Sequence, residues 1–260
     1  MTDLALIPPH AFQMDSVWEG ATYLFLPQFF KDSNYGYYVR QARKTAMWTI
    51  LDNGAFEGAE TSITDLMQLA KKNNIHEVVL PDVMGNKTMT LDALKQTAAV
   101  LPRVQWGQRR YMFVVQGTSF KECCDCIKIA SAHMFPFTTF ALPKHLLRTV
   151  AAYGDKNAKT IRLRLARFIR KLYGDRYNIH FLGASPVWIG EGRHLRDLNV
   201  RSMDTSMPYV YAANGWSLLK AASADIVFER QEHYFGIKEG NINADLLADN
   251  INYMIRMVHG

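Results

Sequence analysis

The chain has 260 residues, of which 48% are hydrophobic, and its formal net charge is +6. This length suits one large domain better than two small ones, since α/β barrels often run to about 250 residues. No apolar run approaches the roughly 18 residues that a membrane span needs, and the amino terminus lacks the basic start and apolar stretch of a secretory signal. Composition thus argues against a membrane protein, and we expect a soluble, cytoplasmic protein without a membrane partner.

Strand-like and helix-like segments alternate along the whole chain, with no low-complexity linker and no repeat. Such alternation is typical of a parallel sheet whose strands are joined by right-handed helical crossovers. The alternative is an open doubly wound sheet, but that fold normally carries a glycine-rich phosphate turn after its first strand, and this chain has none. The eight predicted strands are Tyr23–Leu26, Met47–Leu51, Glu77–Leu80, Tyr111–Val115, Thr138–Leu142, Ile179–Leu182, Val200–Met203 and Asp225–Phe228. Because a closed barrel needs eight strands, we predict the α/β class, with one compact (β/α)8 TIM barrel over residues 1–260.

Four helices between these strands carry recognisable signals. Ser62 predicts a capped start for a helix over Leu66–Lys72, and a second helix over Thr90–Val100 ends before a proline. Apolar residues recur at helical spacing over residues 161–172, which places the basic residues of that helix on its outer face. A last amphipathic helix over residues 242–258 is expected to cover the final strand.

Polar residues or small-residue turns follow five of the predicted strands. They are Asp52, Asp82, Gln116, Gly183 and Asp204. Active sites of parallel barrels form where the carboxyl ends of the strands converge, so we expect these five residues to share one cavity. A carboxylate there can act as a nucleophile, a general base or a ligand-binding acceptor. Each position alone has a plain structural explanation, such as a turn at Asp52 or a helix cap at Asp82, and only their joint placement favours a site.

Basic residues form three clusters near the predicted cavity. The clusters are Arg40, Arg43 and Lys44; Arg162, Arg164, Arg167, Arg170 and Lys171; and Arg193, His194, Arg196 and Arg201. Any one of them is as consistent with a solvated face as with a binding surface, but the three together favour a polyanionic partner. Lys144 follows the fifth strand and is a candidate phosphate contact at the barrel mouth. We predict Lys144, Arg193, Arg196 and Arg201 as nucleic-acid-binding residues.

The cysteines favour reduced thiols over a metal site. Cys123, Cys124 and Cys126 lie in one predicted helix, where the adjacent pair points apart and is poorly placed for zinc. We therefore predict no metal, no cofactor and a reducing compartment. His180 alternates with apolar residues in its strand, which is typical of a hydrogen-bonded core histidine.

The order of the strand-end motifs resembles the tRNA-guanine transglycosylase family, whose barrel enzymes exchange guanine for a 7-deazaguanine. The resemblance spans roughly residues 50–205, and each motif is weak when taken alone. The matching segments are Asp52-Asn53-Gly54-Ala55-Phe56, Pro81-Asp82-Val83-Met84, Val115-Gln116-Gly117, Leu182-Gly183 and Met203-Asp204.

This resemblance implies a role for each matched residue. Asp204 corresponds to the nucleophile that attacks the sugar C1′ and forms a covalent glycosyl-enzyme, as in retaining glycosidases, and Asp52 corresponds to the general acid/base. The implied base-binding residues are Phe56, which stacks on the base, Asp82 and Gln116, which bind the guanine edge, and the backbone amide near Gly183.

Departures from the family narrow the prediction. No cysteine follows Asp204, whereas the tRNA enzymes carry a zinc-binding Cys-x-Cys-x-x-Cys segment there, and this chain is short. It is therefore most similar to the phage-type DNA-guanine transglycosylases, which implies a barrel without the zinc-binding subdomain. The implied partners are guanine-containing DNA, with its target base flipped out, and a free 7-deazaguanine base, with tRNA as the less favoured substrate.

Three alternatives to this function remain. They are a tRNA-guanine transglycosylase, a retaining glycoside hydrolase that uses Asp52 and Asp204, and a basic nucleic-acid-binding barrel without catalysis. The hydrolase leaves Asp82 and Gln116 without a purpose, and the binding protein predicts no covalent adduct. The side group of the 7-deazaguanine, the target sequence and the oligomeric state stay open.

Overall fold

Eight parallel strands form a closed barrel in chain order, with the last strand paired to the first. The computed structural model describes residues 2–9, 21–59, 61–101, 109–184, 188–224, 226–228, 232–237 and 239–259. The strands are β1 (Asp3–Leu6), β2 (Thr22–Phe25), β3 (Trp48–Leu51), β4 (Glu77–Val79), β5 (Arg110–Val114), β6 (Thr139–Pro143), β7 (Asn178–Leu182) and β8 (Ser202–Thr205). The predicted (β/α)8 barrel is confirmed.

Helices surround the barrel. They are α1 (Ser33–Thr45), α2 (Ile63–Lys72), α3 (Lys87–Val100), α4 (Phe120–Ser131), α5 (Leu146–Ala152), α6 (Ile161–Tyr173), α7 (Trp188–Leu195), α8 (Met207–Ala213), α9 (Leu218–Ser223) and α10 (Ala244–His259). The Ser62 hydroxyl accepts a hydrogen bond from the amide of Asp65, so the predicted cap of α2 is confirmed. No helix in the described ranges is both long and apolar enough to cross a membrane.

One predicted strand is wrong, and another strand takes its place. Residues 226–228 are irregular, and Asp225 lies outside the described residues. The hydroxyl of Tyr211 accepts from the amide of Phe228 and donates to the carbonyl of Ile226, so it binds backbone groups that a strand ladder needs. The strand that closes the barrel is β1 at the amino terminus, between β8 and β2. No signal in the sequence predicts β1, because its four residues are too few to show a strand pattern and two prolines follow soon after them.

The core has two layers because side chains alternate along each strand. On β5, Tyr111 and Phe113 pack in the large cluster between barrel and helices, whereas Met112 and Val114 pack with the smaller cluster inside the barrel. The same alternation continues past the strand ends. Ile50 belongs to the inner cluster, so Asp52, two residues later, is directed to the same side.

Polar groups fill the amino end of the barrel interior. The carboxylate of Glu77 is fully buried and pairs with Arg201 at 2.6 Å between Oε2 and Nη2. It also accepts from Thr139 at 2.6 Å and from the indole N–H of Trp48 at 3.0 Å. Burial alone acts to raise the pKa of Glu77, but the nearby Arg201 charge and these hydrogen bonds hold it below its usual value. This end of a barrel is where stability rather than catalysis is expected.

Two expectations about helices need correction. Arg162 on α6 was expected on the outer face, but it is fully buried and ion-paired with Glu191 of α7. The last helix, α10, was expected to cover a final strand, and it packs against α8, α7 and β1 instead.

Candidate active site

A cavity of about 940 Å³ opens at the carboxyl ends of the strands. Six of the residues predicted for the site line it: Asp52, Phe56, Asp82, Lys144, Gly183 and Asp204. Five of them lie after the ends of β3, β4, β6 and β7, Asp204 lies on β8, and the closed barrel brings all six together. The cavity volume is typical of a site for a small molecule.

The other predicted site residues lie elsewhere. Gln116 is fully buried, outside the cavity wall, and contacts Asp82 from behind. Arg201 lies at the opposite end of the barrel with Glu77, and Arg196 is exposed just after α7. The side chain of Arg193 lies outside the described residues.

Asp204 is oriented by two donors. Its Oδ1 accepts from the amide of Gly183 at 2.8 Å and contacts Nε2 of His180 at 2.8 Å. The other ring nitrogen of His180 lies 2.8 Å from the hydroxyl of Ser202. Within the described chain, Oδ2 of Asp204 has no hydrogen-bond partner, so this oxygen remains available on the cavity wall.

The loop that carries Gly183 is held from behind. Nη1 of Arg162 donates to the carbonyl of Gly183 at 2.6 Å, and the same guanidinium pairs with Glu191. Gly183 has a φ of +78°, a left-handed conformation that favours glycine. The predicted role of its amide was to bind the ligand, but this N–H already donates to Asp204.

Asp52 is a buried carboxyl group next to other carboxyl groups. Burial, followed by the charges of Glu57, Asp204 and Asp82, raises the pKa of Asp52 to about 8, while the amide of Gly54 acts in the opposite direction. The Gly54 amide donates to Oδ2 of Asp52 at 3.3 Å. Asp52 therefore holds a proton at neutral pH inside the cavity.

Asp82 is fixed by two carboxamides. Its Oδ1 accepts from Nδ2 of Asn53 at 2.6 Å, and its Oδ2 accepts from Nε2 of Gln116 at 2.5 Å. Asn53 also donates to the carbonyl of Leu80 at 2.7 Å. These two bonds fix the orientation of the Asp82 carboxylate on the cavity wall.

Gln116 connects Asp82 to His145. Its Oε1 accepts from the amide of Gly85 at 2.9 Å and lies 2.8 Å from Nε2 of His145. Burial lowers the pKa of His145 to about 4, so this histidine is neutral at physiological pH. His145 also lines the cavity.

Apolar and cationic groups complete the wall. Leu24, Leu26 and Val114 line the interior, and Phe56 and Met84 are 63% and 48% exposed at the mouth. Exposed large apolar side chains beside a cavity are typical of a ligand contact. Basic residues on the wall are Lys144, Arg148 and Lys159.

Two site residues, Asn53 and His145, were missed in the sequence, and the prediction of His180 as a hydrogen-bonded core histidine is confirmed. Asn53 was interpreted as part of a turn, His180 as a core histidine, and His145 was given no role. His180 lies in the middle of β7. The alternation of side chains along strands was a usable signal for its contacts, because Ser202 and Asp204 on β8 face the barrel interior as His180 does. No signal in the sequence pairs Asn53 or His145 with the Asp82 network, since those contacts join residues 29 or more positions apart.

The cysteines are buried free thiols on α4. Burial raises the pKa of Cys123 to about 12 and the pKa values of Cys124 and Cys126 to about 11. Among the described residues, no group of three or more His, Cys, Asp or Glu side chains is arranged to hold a metal ion.

No family model matches the chain, and no curated protein sequence matches it. Several solved structures are similar. One is an HpcH/HpaI aldolase/citrate lyase family protein from Burkholderia cenocepacia, at 9% identity and TM-score 0.49, covering 86% of this chain and 93% of that one. A protein assigned as a fructose-1,6-biphosphate aldolase from Coccidioides immitis has 12% identity and TM-score 0.50, with 99% of this chain and 86% of that one covered. A protein assigned as a dihydrodipicolinate synthetase from Pseudomonas aeruginosa has 11% identity and TM-score 0.47, with 100% and 82% covered. What these barrels share with the chain is the fold.

These findings correct the transglycosylase predictions. The similar structures named above are aldolase-type and lyase-type barrels, and no transglycosylase family model matches the chain. The predicted family, the pentosyltransferase activity, and the DNA, tRNA and 7-deazaguanine partners are therefore wrong. The retaining glycoside hydrolase and the nucleic-acid-binding barrel match no better. Acidic residues at strand ends are shared by barrels of many activities, so short motifs of this kind do not identify one of them.

The structure gives a physical reason for the error about nucleic acid. Several cations of the predicted clusters are used inside the fold. Arg162 is buried with Glu191, and Arg201 is paired with Glu77. Arg170 donates to backbone carbonyls of Leu198, Asn199, Tyr177 and Gly174. These three arginines therefore do not form a free cationic surface, although Arg167, Lys171 and Arg196 are exposed.

Proposed function

We propose that the chain is an enzyme that acts on a small molecule in the barrel mouth by general acid–base catalysis. Asp52 is the general acid, and Asp204 is the carboxylate that accepts a proton. The observation that carries this proposal is the contrast between two carboxyl groups in one cavity: Asp52 is buried with a pKa raised to about 8, whereas Asp204 is oriented by two hydrogen-bond donors. Two carboxyl groups in different environments are a common basis for dividing acid and base roles.

The chemistry follows from these environments. A carboxyl group that keeps its proton near pH 7 can donate it to a developing negative charge on a substrate. Oδ2 of Asp204 is available to receive a proton from the same molecule, and Oδ1 is held by Gly183 and His180. The two groups can therefore act in sequence on one bound substrate without an added base.

The substrate class follows from the cavity. Its volume of about 940 Å³ suits a metabolite-sized molecule rather than a polymer. Phe56 and Met84 at the mouth favour a substrate with a planar or apolar face. Asp82 adds a buried acceptor that favours a substrate bearing N–H or O–H donors.

A labelling experiment tests this function. The purified protein is incubated in D₂O with the small-molecule filtrate of a cell extract, and mass spectrometry follows consumption of compounds and deuterium uptake. We expect at least one compound to change with wild type, and the rate to fall by about 100-fold or more with Asp52→Asn and with Asp204→Asn.

Asp92→Asn is the matched control, since Asp92 is an exposed carboxylate on α3 that pairs with Lys95. It should leave the rate unchanged. A filtrate that wild type does not change at all, or a compound that Asp204→Asn converts as fast as wild type, contradicts the proposal.

A further inference from the structure

His145 has a defined tautomer, and its neighbours explain why. The amide of Gly85 can only donate, so the atom of Gln116 that faces it at 2.9 Å must be the oxygen, Oε1. The same oxygen lies 2.8 Å from Nε2 of His145. Since Oε1 can only accept, Nε2 of His145 must carry the ring proton.

The carboxylate of Asp82 makes this arrangement self-consistent. With Oε1 of Gln116 directed to Gly85 and His145, Nε2 of Gln116 is directed to Oδ2 of Asp82, which accepts at 2.5 Å. A flipped carboxamide would place its oxygen against the carboxylate and its NH₂ group against an N–H. The chain of donors thus runs from His145 to Gln116 and from Gln116 to Asp82.

This tautomer leaves Nδ1 of His145 as an unprotonated acceptor. In the described chain, no hydrogen bond reaches Nδ1, and this atom is not among the buried polar atoms that lack a partner. His145 occupies the residue before α5, yet its side chain makes no capping bond to that helix. The ring is half-buried and lines the cavity, so its remaining acceptor is accessible there.

We infer that His145 is a ligand-binding residue, whose Nδ1 accepts a hydrogen bond from an N–H or O–H group of the small molecule in the cavity. The ligand-binding part of this inference rests on the proposed function, because it assumes that the cavity holds a small molecule. Burial supports it by keeping the ring neutral, with a pKa lowered to about 4. Recognition by this residue selects a donor group and disfavours an anionic oxygen at the same position.

The test is a long-range ¹⁵N–¹H ring spectrum of uniformly labelled protein at pH 7. We expect Nδ1 of His145 in the range of an unprotonated nitrogen and Nε2 in the range of a protonated one. Urea at millimolar concentration serves as a neutral N–H donor probe, and it should shift Nδ1 of His145. His133 is the internal control, since its Nδ1 already accepts from the amide of Phe135 at 3.2 Å and should not respond.

Gln116→Met removes the oxygen that selects the tautomer, so its His145 ring should become a mixture of both tautomers. The wild-type spectrum decides the question even if this variant fails to fold. A proton on Nδ1 in wild type, or an Nδ1 that urea does not shift, overturns the inference. Neither result depends on turnover, so the inference can fail while the catalytic roles of Asp52 and Asp204 stand, and those roles can fail while the tautomer is confirmed.

Discussion

The amide of Gly183, at the end of β7, donates a 2.8 Å hydrogen bond to Oδ1 of Asp204 on β8. The bond depends on a left-handed backbone conformation that favours glycine, since Gly183 has a φ of +78°. A Cβ atom at this position would also lie 3.2 Å from Cβ of Lys144. A turn residue on one strand thereby orients the carboxylate of its neighbour.

Gly183→Ala should lower the free energy of unfolding by more than the about 1–2 kcal/mol that left-handed backbone costs an L-residue. The excess arises because the new methyl group contacts Lys144 and moves the amide away from Asp204. Urea denaturation measures this change. Gly154→Ala is the matched control, because Gly154 has a φ of +88° and a methyl group added there would have no neighbour within 4 Å. Equal losses of unfolding free energy in the two variants would show that the hydrogen bond between Gly183 and Asp204 contributes nothing to stability.

Asp52→Asn should change how stability depends on pH. Folding raises the pKa of Asp52 from 3.8 to about 8, so the folded state holds a proton that the unfolded state releases. The stability from this group is present below about pH 4 and is lost as pH rises to about 8. Above pH 8, Asp52→Asn should therefore be more stable than wild type, by on the order of a few kcal/mol.

Urea unfolding of both proteins at pH 5 and pH 9 measures this difference. At pH 5 the difference should be smaller than at pH 9, because only the first part of the loss between about pH 4 and pH 8 has then occurred. Asp92→Asn should follow wild type at both values. A difference between Asp52→Asn and wild type that is the same at pH 5 and pH 9 is incompatible with a raised pKa.

Arg201→Met should destabilise the protein by about 3–5 kcal/mol, since it leaves the buried carboxylate of Glu77 without its cation. Chemical denaturation gives the value. Arg196→Met is the control at an exposed position, and its effect should stay within about 0.5 kcal/mol. Both arginines were predicted from the sequence to bind nucleic acid. Equal and small losses of unfolding free energy in the two variants would therefore indicate a surface role for Arg201.

The barrel could be predicted because apolar runs and helix signals repeat along the chain. Ser62 marked the start of α2, and Asp52 and Asp204 both lie at a strand end facing the cavity. The first strand could not be predicted from four residues whose partners, β2 and β8, come from distant segments. Its pairing to β8 is made only when the barrel closes.

Six members of the candidate site were predictable from the sequence, but the contacts among its residues were not. Strand parity directs Gln116 inward, yet nothing local shows that its carboxamide lies behind Asp82 and against His145. The sign and spacing of Arg162 and Arg201 likewise do not show whether they face water or a buried carboxylate. Such choices are made by tertiary contacts between segments far apart in the chain.

The role of Asp52 as general acid is tested most directly by titrating its carboxyl group by ¹³C NMR in protein labelled at aspartate, with the resonance assigned by its loss in Asp52→Asn. We expect a midpoint near pH 8, so that the group is protonated at neutral pH and can act as the general acid. A midpoint below about 5, in the range of an ordinary aspartate, would contradict it.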